Sequence, residues 1–364
     1  MTVITAPEAP ARQEPGELEQ AFAGRMLQIL NDGALAITIS LGHRIGLFDV
    51  MDRMSPSSSA AIAKRAGLNE RYVREWLGAM VVGGLIDYDP ARAEYDLPPA
   101  HAAFLTRNAY PNNLAVVAQF IPVMGDVEDG IVESFRNGGG LGYECFPRFH
   151  DVMAEMSRQT VVSGLFDAIL PLVPGLAGRL EAGIDVLDVG CGQGKALNAL
   201  ASAFPNSRFR GIDLCRETVE TARAASRELR LSNLHFEQQD AAAMRASGAY
   251  DLITCFDSVH DQAQPAVVLG NIRRALRPAG TLLMQDIAAS SQLENNIEHP
   301  LGPLLYTISL THCTTVSLAQ DGAGLGTCWG REAAEGMLRE AGFQNVDVHE
   351  LPHDMMNYFY VATA

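Results

Sequence analysis

Apolar residues recur at Leu18, Phe22, Met26, Ile29 and Leu30, the spacing that puts a hydrophobic stripe along one face of a helix. A second largely apolar segment runs from Ala34 to Met51. A hydrophobic helix here needs a cover, which the domain's own core or a second subunit can supply. Over residues 55–105 the rhythm changes. Ser59 is placed to cap a short helix over Ala60–Ala66 that Gly67 ends, and Asn69 to cap a second helix reaching Val82 before Gly83-Gly84. Leu85 to Tyr88, a turn at Asp89-Pro90, and Glu94 to Leu97 then read as a short hairpin. From about Ile184 strands alternate with helices, the pattern of a parallel α/β sheet. Strands are predicted over 185–189, 208–213, 234–239, 252–256 and 281–286, with 346–350 and 357–363 as a closing hairpin.

Helix, turn, helix, hairpin is the layout of a winged helix and raises the question of DNA binding. Residues 41–105 hold seven Arg/Lys against eight Asp/Glu, and Arg71 and Arg74 are offset by Glu70 and Glu75. A DNA-reading domain carries a basic footprint, so this one is read as structural or dimerising. The whole chain of 364 residues has 27 basic and 43 acidic side chains, a net charge of −16, which counts against nucleic acid or anionic lipid as partners. With 48% hydrophobic and 19% charged residues, the length suggests two or three globular domains. The longest apolar run, Leu77 to Ile86, is too short to span a bilayer. The first residues lack the basic and apolar regions of a signal peptide. Cysteines at 145, 191, 215, 255, 313 and 328 form no Cys-x-x-Cys pair, which points to a reducing cytoplasm.

The most informative segment is Asp188-Val-Gly190-Cys191-Gly192-Gln-Gly194, a hydrophobic strand running into a glycine-rich turn before a helix over 196–204. Glycines at alternate positions let the backbone approach a ligand closely. The spacing differs from the dinucleotide fingerprint, because the third glycine comes one residue early. It is no P-loop either. Asp213 ends the next strand, where a carboxylate can accept both hydroxyls of a ribose, and Asp240 follows the third. Each aspartate alone reads as a turn or cap residue. Three acids after three successive strands favour a nucleoside site at the carboxyl edge of the sheet.

Asp188-x-Gly190-x-Gly192-x-Gly194, then Asp213, then Asp240, resembles class I S-adenosylmethionine-dependent methyltransferases. The resemblance implies a Rossmann-like seven-stranded domain with an antiparallel last strand, and S-adenosyl-L-methionine as methyl donor. It implies cofactor contacts from Asp188, Gly190, Cys191, Gly192, Gly194, Asp213, Leu214, Asp240, Ala241, Phe256 and Asp257. The segment Phe256-Asp257-Ser-Val-His260-Asp261 resembles the His-Asp segment of small-molecule O-methyltransferases, which implies His260 as general base or acceptor-orienting group with Asp261 beside it. An isolated His at this place reads more simply as a helix cap or a partner of Asp257. Those enzymes carry a winged-helix dimerisation domain and then a helix over the cofactor, the position of Phe149 and Met153 here.

The expected organisation is a disordered tail (1–16), a mostly helical winged-helix dimerisation domain (17–110), a helical linker over the cofactor site (111–183) and the methyltransferase domain (184–364). Residues 288–330 are expected to wall the acceptor pocket, with His299, Tyr306, His312 and Trp329 joining Phe149 and Met153. His299, His312, Cys313 and Cys328 are residue types that suit zinc, but their spacings match no closed zinc pattern, and no metal is expected. The segment resembles a bacterial branch of winged-helix methyltransferases that includes enzymes acting on sulfide and small thiols. The expected function is methyl transfer to a small-molecule acceptor by a homodimer, leaning to a thiol or sulfide over a hydroxyl. The alternative is a winged-helix regulator that senses S-adenosylmethionine.

Overall fold

The computed structural model describes residues 15–363. The expected tail therefore lies outside the described residues, except for Pro15 and Gly16, which open the first helix. The chain divides into two compact units that meet at Thr106 and Arg107.

In the first unit the two apolar segments merge. Helix α1 runs unbroken over Pro15–Arg44, and a short α2 follows over Leu47–Met51. The end of α1 packs on the winged helix. Trp76 donates its indole N–H to the Thr38 carbonyl at 2.8 Å, and its ring lies so close to Gly42 that any side chain there would collide with it. Helices α3 (Ser59–Ala66) and α4 (Glu70–Val82) follow, then the hairpin β1 (Asp87–Asp89) and β2 (Glu94–Asp96). Ser58, not Ser59, caps α3 by accepting from the Ala61 N–H; Ser59 is the first helical residue and spends its hydroxyl on Glu70 at 2.7 Å. Asn69 caps α4 as expected. The first half of α1 is exposed along its apolar stripe, with Phe22 and Leu30 about two-thirds accessible.

The second unit is built on a seven-stranded sheet. Its strands are β3 (Asp185–Val189), β4 (Arg208–Asp213), β5 (Leu234–Gln238), β6 (Tyr250–Phe256), β7 (Leu276–Ile287), β8 (Asn345–Leu351) and β9 (Asp354–Thr363). The order is β5-β4-β3-β6-β7-β9-β8, parallel except for β9, which runs antiparallel to β7 and β8. The central strands are buried on both faces between two apolar layers, one with Leu197 and Leu200, the other with Leu269, Ile272 and Leu338. Burial on both faces explains their near-continuous hydrophobic runs. Residues 277–280 form a bulge inside β7: register jumps from Tyr250↔Leu276 to Leu252↔Thr281, and Arg277 pairs with Asp185 there. Chain order reverses between β3 and β6, which opens a crevice beyond their carboxyl ends, where ligands of such sheets bind.

Candidate active site

A cavity of about 220 Å³ occupies that crevice. Its floor is the turn after β3. Gly192 has φ +52° with no atom within 4 Å of where a side chain would begin, so the loop faces open space. Gly194 (φ +69°) is glycine for a different reason: a Cβ would meet the Phe236 ring at 2.4 Å, so it packs underneath and does not line the cavity. Asp213 is fastened to this floor. Its two carboxylate oxygens accept from the Gly192 N–H at 2.8 Å and the Cys215 N–H at 2.9 Å. Asp240 caps a short 3-10 turn by accepting from the Ala242 N–H at 2.8 Å, and it also lines the cavity. Asp188, Gly190, Cys191, Leu214, Ala241, Phe256 and Asp257 line it too. Asp257 has φ +56°, rare for a non-glycine residue, and its buried Oδ1 has no partner.

Asp188 is buried and accepts a 2.7 Å hydrogen bond from the Thr254 hydroxyl. Burial raises its pKa to about 7, with the Thr254 bond opposing. The folded pKa thus lies above the unfolded carboxylate's 3.8, so the burial penalty is absent below that value and grows as pH rises through about 7. Thermal melts should show the protein losing more stability between about pH 5 and about pH 8 than its Asp188→Asn variant does. Parallel losses would remove Asp188 as a source of the dependence.

At the other end of the cavity His260 is 4% exposed. Its Nδ1 bonds Asp286 Oδ1 at 2.7 Å, and its Nε2 stands 3.3 Å from Asp261 Oδ1. Burial pulls its pKa down, but Asp286 and Asp261 on either side outweigh this and hold it well above the usual imidazole value. Asp286 also accepts from the Trp329 indole N–H at 2.9 Å. The sequence reading missed Asp286. The available signal was its place as the acid closing a fifth strand, like the acids closing the earlier ones. It also missed Tyr143, a half-buried lining residue with no motif around it, and Gln193, which ties the glycine loop to Asp151 at 2.8 Å.

Phe149 and Met153, on the helix Phe149–Ser157, line this end together with Leu305, Ile308, Cys313, Thr327 and Met356. About half of the segment 288–330 is helical, and part of it walls the cavity. Four expected acceptor-pocket residues do not line it. His299 staples its own loop, with Nε2 on the Ala288 carbonyl at 2.9 Å and Nδ1 accepting from the Leu301 N–H. The Tyr306 hydroxyl bonds the Asn296 amide. Trp329 is buried with its indole N–H on Asp286. His312 stacks behind the wall on the Phe149 ring, centroids 3.4 Å apart. Burial lowers its pKa to about 4, which keeps it neutral.

A cavity at the topological switch point, floored by a glycine turn and edged by strand-end acids, defines a class I methyltransferase fold. The comparisons agree: residues 180–319 match the family model described as a methyltransferase domain. Residues 33–107 match a narrower one, the Rv2258c-like winged HTH domain. The chain therefore carries a winged helix-turn-helix domain followed by a methyltransferase domain. A ubiquinone biosynthesis O-methyltransferase of Methylococcus capsulatus is 33% identical over 145 residues, 39% of this chain and 58% of that one. The O-methyltransferase cnsE of Penicillium expansum is 26% identical over 173 residues, 46% of this chain and 55% of its own. The chain thus spans about half the length of the curated relatives it matches. Among solved structures, human N-acetylserotonin methyltransferase in complex with SAM gives a TM-score of 0.64 at 16% identity, covering 98% of this chain and 99% of that one. The mitomycin 7-O-methyltransferase MmcR gives 0.65 at 18% identity, covering 96% and 100%. At these identities the likeness is one of fold. Among the described residues, no helix is long and apolar enough to cross a membrane.

Proposed function

We propose that this chain is an enzyme transferring the methyl group of S-adenosylmethionine to a small-molecule nucleophile. One observation carries the reading: a single cavity joins the Asp213-fastened glycine turn at one end to the buried His260–Asp286 pair at the other. The residues fit the donor. Open space over Gly192 admits its backbone-hugging part, Asp213 can accept ribose hydroxyls, Asp240 lies where an adenine amino group would come, and the unpartnered Asp257 Oδ1 offers an acceptor. When bound, the sulfonium supplies a methyl group activated for in-line displacement.

The protein's own part is chiefly orientation, which can supply most of such a rate. Asp286 holds the His260 ring in one tautomer and one plane, with Nε2 turned toward Asp261 and the cavity. His260 thereby orients the acceptor. Met153, Leu305, Ile308 and Met356 exclude water and suit a small or apolar acceptor. We lean to a thiol or sulfide, whose pKa near 8.5 leaves it partly ionised without strong base assistance. The curated relatives' names favour a hydroxyl instead. A product assay with deuteromethyl-labelled donor against sulfide, methanethiol, larger thiols and phenols, read by mass spectrometry, tests both. Methylated thiol is the expected product; methylated phenol alone would make it an O-methyltransferase, and failure to bind the donor in calorimetry would end the reading.

A second copy of the chain is the proposed cover for α1. Leu18, Phe22, Met26 and Ile29 are all exposed at helical spacing, a stripe a monomer would leave in water. Arg71 and Arg74 on α4 are paired with Glu75 and Glu70, which supports a dimerising rather than a DNA-reading winged helix. Phe22→Asp with Leu30→Asp should convert a dimer into a monomer by light scattering; a native protein already monomeric would remove the proposal. Six free cysteines support a cytoplasmic setting.

A further inference from the structure

Asp286 occupies only one nitrogen of His260. The other, Nε2, is 3.3 Å from Asp261 Oδ1. Cys313 joins them: one ligating atom from each of His260, Asp261 and Cys313 lies within 4.8 Å of the others, and all three residues line the cavity. Two donors each about 2.0–2.1 Å from a tetrahedral ion stand about 3.3 Å apart, the separation already present between Nε2 and Oδ1. Imidazole, carboxylate and thiolate together form a borderline-soft donor set that suits zinc better than magnesium or calcium.

Two further observations point to a ligand. Buried polar atoms nearly always have partners, yet both ring nitrogens of His312, 2% exposed, have none. Its Nδ1 lies 3.8 Å from Asp261 Oδ2, so an unpartnered donor stands behind the carboxylate that faces His260. The Asp286 carboxylate on Nδ1, held in turn by Trp329, is the outer partner that metal-ligating histidines characteristically have. The sequence reading expected no metal; of the zinc-type residues it weighed, Cys313 alone belongs to this cluster, and His260 and Asp261, from the loop after β6, complete it.

We propose that His260, Asp261 and Cys313 hold a divalent zinc-class ion whose fourth position opens on the cavity and takes the sulfur of a thiol acceptor. The Thr327 hydroxyl, 2.9 Å from Cys313 Sγ, donates to the thiolate. A thiol entering the open position gives its proton to solvent and stays as thiolate. A lone pair of that sulfur forms the new S–CH3 bond while the donor's S–CH3 bond breaks, and the neutral thioether, a weak ligand, leaves. This use of the ion rests on the methyltransferase reading; the ion site itself does not.

The test is a cobalt titration of the full chain after chelator dialysis. One equivalent of Co2+ should bind, with visible bands of a tetrahedral ion and a near-ultraviolet thiolate-to-cobalt band, both discharged by Zn2+. Cys313→Ser should lose the near-ultraviolet band, Asp261→Asn should bind about 10–100-fold more weakly, and Cys145→Ser should behave as the native protein. Absence of stoichiometric cobalt binding, or a thiolate band that survives Cys313→Ser, overturns the site. Calorimetry with S-adenosylmethionine on the same samples confirms that each variant is folded and separates the two readings. Donor binding without cobalt binding overturns the ion site alone; cobalt binding without donor binding overturns the methyltransferase reading alone.

Discussion

His260→Ala is expected to lower turnover by about 10²–10⁴-fold, the range contributed by a positioned acid–base or orienting group. Affinity for S-adenosylmethionine should stay within a few-fold. The two effects separate because the side chains are carried by different strands. Asp213 and the glycine turn hang from β3 and β4, whereas His260 follows β6 and leans on Asp286 from β7. Removing the imidazole also leaves Asp286 Oδ1 with the Trp329 indole and its own chain's Ile287 N–H as partners, so the carboxylate keeps part of its hydrogen bonding. Folding should therefore survive. Steady-state kinetics beside calorimetry check the split. Turnover equal to the native enzyme's would remove His260 from the chemistry, and a parallel collapse of donor binding would make its role structural.

Asp213→Ala is expected to do the reverse, weakening donor binding by at least about 10–100-fold, the value of hydrogen bonds to a charged acceptor. Part of the loss is indirect. The carboxylate receives the Gly192 and Cys215 N–H groups, so its removal frees the glycine turn as well as deleting the ribose acceptor. Asp213→Asn keeps one acceptor oxygen and should fall between. With the donor saturating, turnover should approach the native value. Unchanged affinity by calorimetry would make this acid a loop fastener only.

The donor half of the site was legible because it is local. The glycine spacing, the strand before it and the strand-end acids occupy short windows whose backbone geometry follows from residue type: Gly192 and Gly194 sit at positive φ where the pattern demands it. The expected strands all exist, with ends shifted where pairing continues, as in the β7 bulge, and helix α3 starts one residue early because Ser58 caps it.

The acceptor half was legible only in residue type. His299, Tyr306, His312 and Trp329 were sensible candidates, yet the helical path of 288–330 turns them onto loop carbonyls, an amide, the back of Phe149 and Asp286. Asp286 and Tyr143 gained their places from β7 and from a segment more than a hundred residues away in the chain. By itself the sequence determined the two-domain order, the doubly wound sheet and the nucleoside-type crevice, because hydrophobic period and glycine spacing act within a few residues. Only the tertiary structure decided which carboxylate holds His260, which thiol meets it and which aromatic side chains close the wall. Those pairings join separate strands and helices, and packing sets their distances.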